Sequence, residues 1–207
     1  FRRVLFRSAF MERQRGILTA RHQALVDLDS QYGMKWVVYS EGHALPKGTY
    51  REDDLDILNL PSDWGLLVGG ELSLYQKNRA NYLNLFLKYA TGLATVDELE
   101  IPTKASLMEK TAGSHEYLVG TSANYEAGDW GLLWGSYARY FVDADDNIYD
   151  YDDRFEFATA LRPTYFVNEN FHLLTEASVQ VLRPNGISPV TQEHDIPMAF
   201  QFAIMPT

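Results

Sequence analysis

The chain contains no cysteine, which excludes disulfide staples, thiolate metal sites and a cysteine nucleophile. Clustered positive charge is also scarce. Eighteen Lys and Arg stand against 28 Asp and Glu, a net charge of −10. Phosphate binding needs grouped cations, and beyond residue 15 there are none, so a nucleic-acid partner is excluded. No uninterrupted apolar run approaches the roughly 20 residues of a membrane-spanning helix. Catalytic signatures are missing as well. The five histidines, His22, His43, His115, His172 and His194, show no metal-ligand spacing, and there is neither a Gly-x-Ser-x-Gly elbow nor a phosphate loop. The expectation is therefore no enzyme, no cofactor and no metal. The acidic run from Asp143 to Asp153 fails as a calcium loop, because Ile148 stands where that loop needs Gly and Arg154 where it needs Glu.

Aromatic residues, by contrast, are plentiful: 13 Tyr, 11 Phe and 4 Trp, a load that suits aromatic girdles at two membrane interfaces and also occurs in soluble β-proteins. Read with a period of two, the chain divides into nine strand-like segments near 17–28, 34–41, 64–75, 81–91, 115–126, 130–142, 154–167, 171–183 and 195–205. Soluble strands run about 5–6 residues, whereas tilted membrane-crossing strands need about 9–11. Most of these segments have the greater length. The chain's mean hydropathy of −0.26 is compatible with a membrane barrel, since only alternate residues of each strand face lipid.

The connections alternate in length. Short links at 30–33, 76–80, 127–129 and 168–170 take turns with long ones at 42–63, 92–114, 143–153 and 184–194. Outer-membrane barrels follow this rule, with tight turns at one rim and long loops at the other. Alternation of faces alone fits a soluble antiparallel sheet equally well; strand length and loop parity favour the membrane. The fold class expected is all-β, an antiparallel transmembrane β-barrel, with about nine strands of roughly 16–18 present. Residues 1–8, basic and apolar, read as foreign to the fold, and 9–207 as a partial barrel cut at both ends.

Sorting by register places Leu66, Val68, Leu83, Leu85, Leu87, Phe157 and Leu161 on an outward, lipid-facing surface. The opposite register carries the aromatics Phe86, Tyr137, Phe141 and Phe166. With them stand the polar residues Arg21, Glu71, Asn84, Lys88, Arg139, Glu156, Arg162, Glu176 and Gln180. These are the candidate substrate-binding, pore-lining residues. Rings offer platforms to the apolar CH faces of sugars, and charged or amide groups meet the hydroxyls. The same rings could equally pack under an inward loop, and opposite charges such as Arg139 with Glu156, or Arg162 with Glu176, could merely stiffen a wall. Trp64, Tyr75, Tyr89, Tyr125, Trp130, Tyr140 and Tyr165 are expected to gather in two girdles.

The stretch Leu161-Arg162-Pro163-Thr164-Tyr165-Phe166-Val167, followed after a polar turn by Glu176-Ala177-Ser178-Val179-Gln180, resembles the late strands of maltoporin-type carbohydrate porins. Arg21-His22 with Val26-Asp27-Leu28-Asp29 resembles a mid-barrel strand of that family, and Ile204-Met205-Pro206-Thr207 the start of a further one. The resemblance covers the chain from about residue 16. It implies an 18-stranded barrel in the bacterial outer membrane, assembled as a homotrimer in outer-membrane lipid. It also implies passive diffusion of maltodextrins or related oligosaccharides past a line of aromatics. The family's aromatic residues do not match positions here one by one, so none is carried over. A general or differently selective porin and a soluble β-rich carbohydrate-binding domain stand as the alternatives.

Overall fold

The computed structural model describes residues 15–51, 57–77, 80–95, 111–142, 153–188 and 191–206. Eleven strands are present among them: β1 (Gly16–Asp27), β2 (Tyr32–Leu45), β3 (Gly48–Arg51), β4 (Ile57–Leu60), β5 (Asp63–Gln76), β6 (Tyr82–Gly92), β7 (His115–Ala127), β8 (Trp130–Val142), β9 (Arg154–Asn168), β10 (Phe171–Pro184) and β11 (Met198–Pro206). Nine of them form a single antiparallel sheet in the order β1-β2-β5-β6-β7-β8-β9-β10-β11. Spatial order follows chain order throughout, and β1 and β11 are the two edges. The expected strands are all present, with β2 reaching further, to Leu45, and β11 beginning later, at Met198. A correction falls in the long connection after β2. It is not all loop, because β3 and β4 pair there as a separate short hairpin.

Short and long connections alternate as the sequence predicts. Two residues join β7 to β8, and Gly128 there takes a φ of 58°, the positive value that two-residue hairpins favour at their first position. Asn168 caps the link between β9 and β10, its side-chain oxygen accepting from the Asn170 amide at 2.9 Å. Pro163, which has no amide hydrogen to give, leaves a visible mark. It keeps its register partner Leu132 on β8, but the β9–β10 ladder skips from Leu161↔Ala177 to Thr164↔Leu174.

Cross-strand partners lie on one face of a sheet, so the registers divide the side chains into two sets. One face carries Leu18, Val38, Leu66, Val68, Leu85, Leu87, Val119, Leu132, Leu161, Phe200 and Phe202, all exposed. Leu87 is 62% and Phe200 72% accessible. Leu83 and Phe157 share that face and are half-buried. These apolar side chains are not packed into an internal core; among the described residues the buried hydrophobic ones are Val37, Ala90, Leu93 and Ala94. A sheet that shows its apolar face outward is stable only in an apolar solvent.

The tyrosines of that face, Tyr32, Tyr89, Tyr117, Tyr125, Tyr140 and Tyr165, all sit near strand ends. Tyr89, Tyr117, Tyr140 and Phe155 form one continuous register row. Trp64 lies at the same end on β5, while Trp130 pairs with Tyr165 at the other. From Tyr117 to Tyr125 the strand rises about 27 Å, and from Trp130 to Tyr140 about 34 Å. A tilt of about 40° turns these into heights of roughly 21 and 26 Å, close to the ~25 Å apolar band of an outer-membrane barrel. Tyr75 is the exception among the expected girdle residues. It shares the odd register of Glu71 and Ser73 and stands on the polar face, opposite Gly33 and Tyr82.

Candidate functional site

The polar face is built in rows by the same registers. One row runs Arg21, Tyr39, Gly69, Lys88, Leu118, Arg139, Glu156 across seven strands. The next runs Val37, Glu71, Phe86, Gly120, Tyr137, Ala158, Gln180. A third brings Lys35, Ser73, Asn84, Ser122, Gly135, Ala160 and Ser178 together. Every pore-lining candidate read from the sequence lies on this face. Phe141 is a register partner of Arg154, and Phe166 of His172.

Rings and hydrogen-bonding groups are thus interleaved. Phe86 and Tyr137 flank Gly120 at mid-strand. On one side of them are the cations Lys88 and Arg139; on the other Asn84, whose amide donates to the Ser122 hydroxyl at 3.1 Å. Glu71 accepts from the Ser73 hydroxyl at 2.9 Å and from Lys35 Nζ at 3.3 Å. Nearer the short turns, Phe166 meets His172 edge to face, with centroids 4.9 Å apart.

Toward the long-loop end the charges join into a cluster. Glu116 is 1% accessible, with Lys88 Nζ 2.5 Å from Oε1 and Arg139 Nη2 2.7 Å from Oε2. Arg139 also reaches Glu156 at 3.6 Å, and Arg154 Nε donates to Glu156 at 2.6 Å. Both guanidinium groups stand 5.7 Å from the centre of the Phe141 ring. The pairing of Arg139 with Glu156 expected from sequence is present, but Glu116, which the sequence reading passed over, is its centre. Arg162 and Glu176 also pair, through bonds of 2.8 and 2.5 Å, in a more open setting. Arg21 and Gln180 occupy the same wall.

At this end the backbone itself enters the polar face. Gly92, at φ 59°, turns the chain into a 3-10 turn, Leu93–Thr95. That turn lies directly over Gly65, where a Cβ would collide with the backbone nitrogens of Leu93 and Ala94. The returning chain is fastened by Asp63, whose Oδ2 accepts from the Thr111 amide at 2.8 Å and the Thr111 hydroxyl at 2.6 Å. Residues 96–110 and most of the acidic run at 143–153 lie outside the described residues.

A single up-and-down sheet with an apolar outside, girdles at both rims and a charged, ring-bearing inside is the wall of a membrane channel. A family model for the LamB porin matches residues 9–207. The chain belongs to the LamB porin family. It is therefore part of a bacterial outer-membrane β-barrel porin, from a family of sugar-diffusion channels and not of enzymes. Neither the curated proteins nor the solved structures returned a match. Sequence reasoning had placed Phe86, Tyr137, Phe141 and Phe166 on the polar register, but passed over Tyr39, Tyr75 and Tyr82, which share it.

Proposed function

We propose that this porin passes maltodextrin-like oligosaccharides, held briefly at a lumen wall of aromatic rings flanked by charged and amide groups. The nine strands belong to a barrel of roughly 16–18 strands, completed by strands outside this sheet and assembled as a homotrimer. The observation that carries the reading is the mid-strand row of Phe86 and Tyr137 on either side of Gly120, set between Lys88 and Arg139 above and Asn84 and Ser122 below. Sugars need both kinds of surface, apolar for their CH faces and hydrogen-bonding for their hydroxyls. Binding must stay weak, because a channel has to release what it admits.

In a planar bilayer, the product of the complete reading frame should conduct ions, and added maltodextrin should block the current along a saturating curve. Arg162→Ala or Glu176→Ala should weaken that block more than it changes open conductance. Current indifferent to oligosaccharide at millimolar levels would sink the sugar-binding reading. A general porin is the second reading, and a specific observation favours it: the cluster of Lys88, Glu116, Arg139, Glu156 and Arg154 is paired internally, as a wall that binds nothing would be.

A further inference from the structure

Glycines on the two faces of the sheet have different neighbours. On the lipid face, a Cβ added to Gly42 would meet nothing within 4 Å, and one on Gly70 only the Val37 carbonyl at 3.4 Å. On the lumen face, a Cβ on Gly69 would collide with the outer edge of the Tyr39 ring, and one on Gly120 with the outer edge of the Phe86 ring. Tyr75 covers Gly33 in the same manner, and Phe166 comes within 3.1 Å of the space above Gly131. In three of these four cases ring and glycine are direct register partners on adjacent strands.

Covering a strand glycine with a neighbouring ring repairs packing that the missing side chain forfeits. That need exists on both faces, yet among the described glycines rings cover only lumen-side ones, though not Gly135, whose Cβ would meet just the Thr121 carbonyl at 4.0 Å. The geometry there has a second effect. A ring whose far edge reaches the Cβ site of the next strand lies across the wall and does not project into the channel. One ring face is then against backbone and the other is turned to whatever passes.

We infer that Gly69 and Gly120 are positioning residues for sugar passage: bare backbone at each lets Tyr39 or Phe86 lie across the lumen wall with one face toward the channel. The inference rests on the sugar-binding reading for its functional consequence, but the ring placement can be read without sugar. At Gly69 the three atoms nearest the added Cβ all belong to the Tyr39 side chain, whereas at Gly120 the Ser136 carbonyl stands among them at 2.9 Å. Gly69→Ala is therefore the cleaner variant.

The experiment compares the complete porin with Gly69→Ala, Tyr39→Leu and the double variant in planar bilayers, recording single-channel conductance and then the block by maltodextrin. Gly69→Ala should lower conductance, because the displaced ring swings into the lumen, and weaken the sugar constant by about two- to ten-fold, the scale of one ring contact. Tyr39→Leu should weaken sugar binding by the same factor without lowering conductance. The double variant should recover wild-type conductance and bind sugar no worse than Tyr39→Leu alone. Wild-type conductance in Gly69→Ala, or sugar losses that add in the double variant, would overturn the inference. If sugar blocks none of the proteins, the sugar-binding reading fails, while the conductance pattern still decides where the ring lies. Should Gly69→Ala not insert, Gly120→Ala with Phe86→Leu is read in the same way.

Discussion

The two rims of the sheet are held by different means. At the short-turn rim the links are lateral and run from each turn to its neighbour. Lys77 donates to the Asp29 carbonyl at 2.7 Å and pairs with Asp27 at 2.8 Å, tying the β1–β2 turn to the β5–β6 turn. Asn81 then receives the Glu126 amide at 2.7 Å and donates to the Glu126 carbonyl at 3.3 Å. Asn124 completes that contact by donating to the Ala80 carbonyl at 3.0 Å. The result is a belt of side-chain links running from turn to turn. At the long-loop rim the fastening is inward. His43, Asp63, Thr95, Ser114, Glu116, Asp153 and Ser188 are all buried there, together with Ala90, Leu93 and Ala94. A barrel wall has no interior of its own, and this one obtains a small interior where chain folds back over the polar face. Polar groups occupy most of it, because the face being covered is the aqueous one.

On that contrast, the costliest single change is expected at the loop rim. Glu116→Ala would leave Lys88 and Arg139 beside each other without their shared carboxylate, and breaking a buried ion pair from one side typically costs about 3–5 kcal/mol. Urea unfolding of the lipid-reconstituted porin should show a loss of that order. At the turn rim, Asn81→Ala removes hydrogen bonds that water can replace, so a loss of about 1 kcal/mol is expected in the same assay. Equal losses at the two sites would break the comparison.

The smallest effect should come from Asp29. Its carboxylate accepts the Gln31 and Tyr32 amides, both at 2.7 Å, and these backbone bonds, with help from Lys77, hold its pKa below the ordinary 3.8. A depressed carboxylate stabilises the fold above the ordinary value and loses that contribution as pH falls through its own lower pKa. Asp29→Ala should therefore lower the urea midpoint slightly at neutral pH and leave it nearly unchanged in strong acid. A gap between variant and parent that persists in strong acid would assign the loss to something other than the ionised cap.

Much of this wall was legible in the sequence, and for a local reason. A period of two is a property of each strand by itself, so the polar register of Phe86, Lys88, Arg139, Glu156 and Glu176 follows without knowing which strand lies beside which. Connection lengths are equally local, and they placed both rims. Tyr75 shows where that reading slipped: it was grouped with the girdle by its place at a strand end, although its parity with Glu71 and Ser73 puts it on the polar face. The β3–β4 hairpin escaped because four-residue strands are too short to display a period. Glu116 and the ring-covered glycines escaped for a different reason. Glu116 matters through Lys88 and Arg139, and Gly69 through Tyr39, and those meetings depend on inter-strand register, which no single segment encodes.

Chain order and spatial order coincide in the main sheet, and every neighbouring pair is antiparallel. Each two-strand unit with its tight turn, such as β7 with β8, could be removed and leave β6 and β9 running in opposite directions, ready to pair. No other strand would need to be rethreaded. Circumference in such a wall is consequently a modular quantity: gain or loss of one hairpin changes the bore by a fixed step and preserves the inside-out sorting of all the rest.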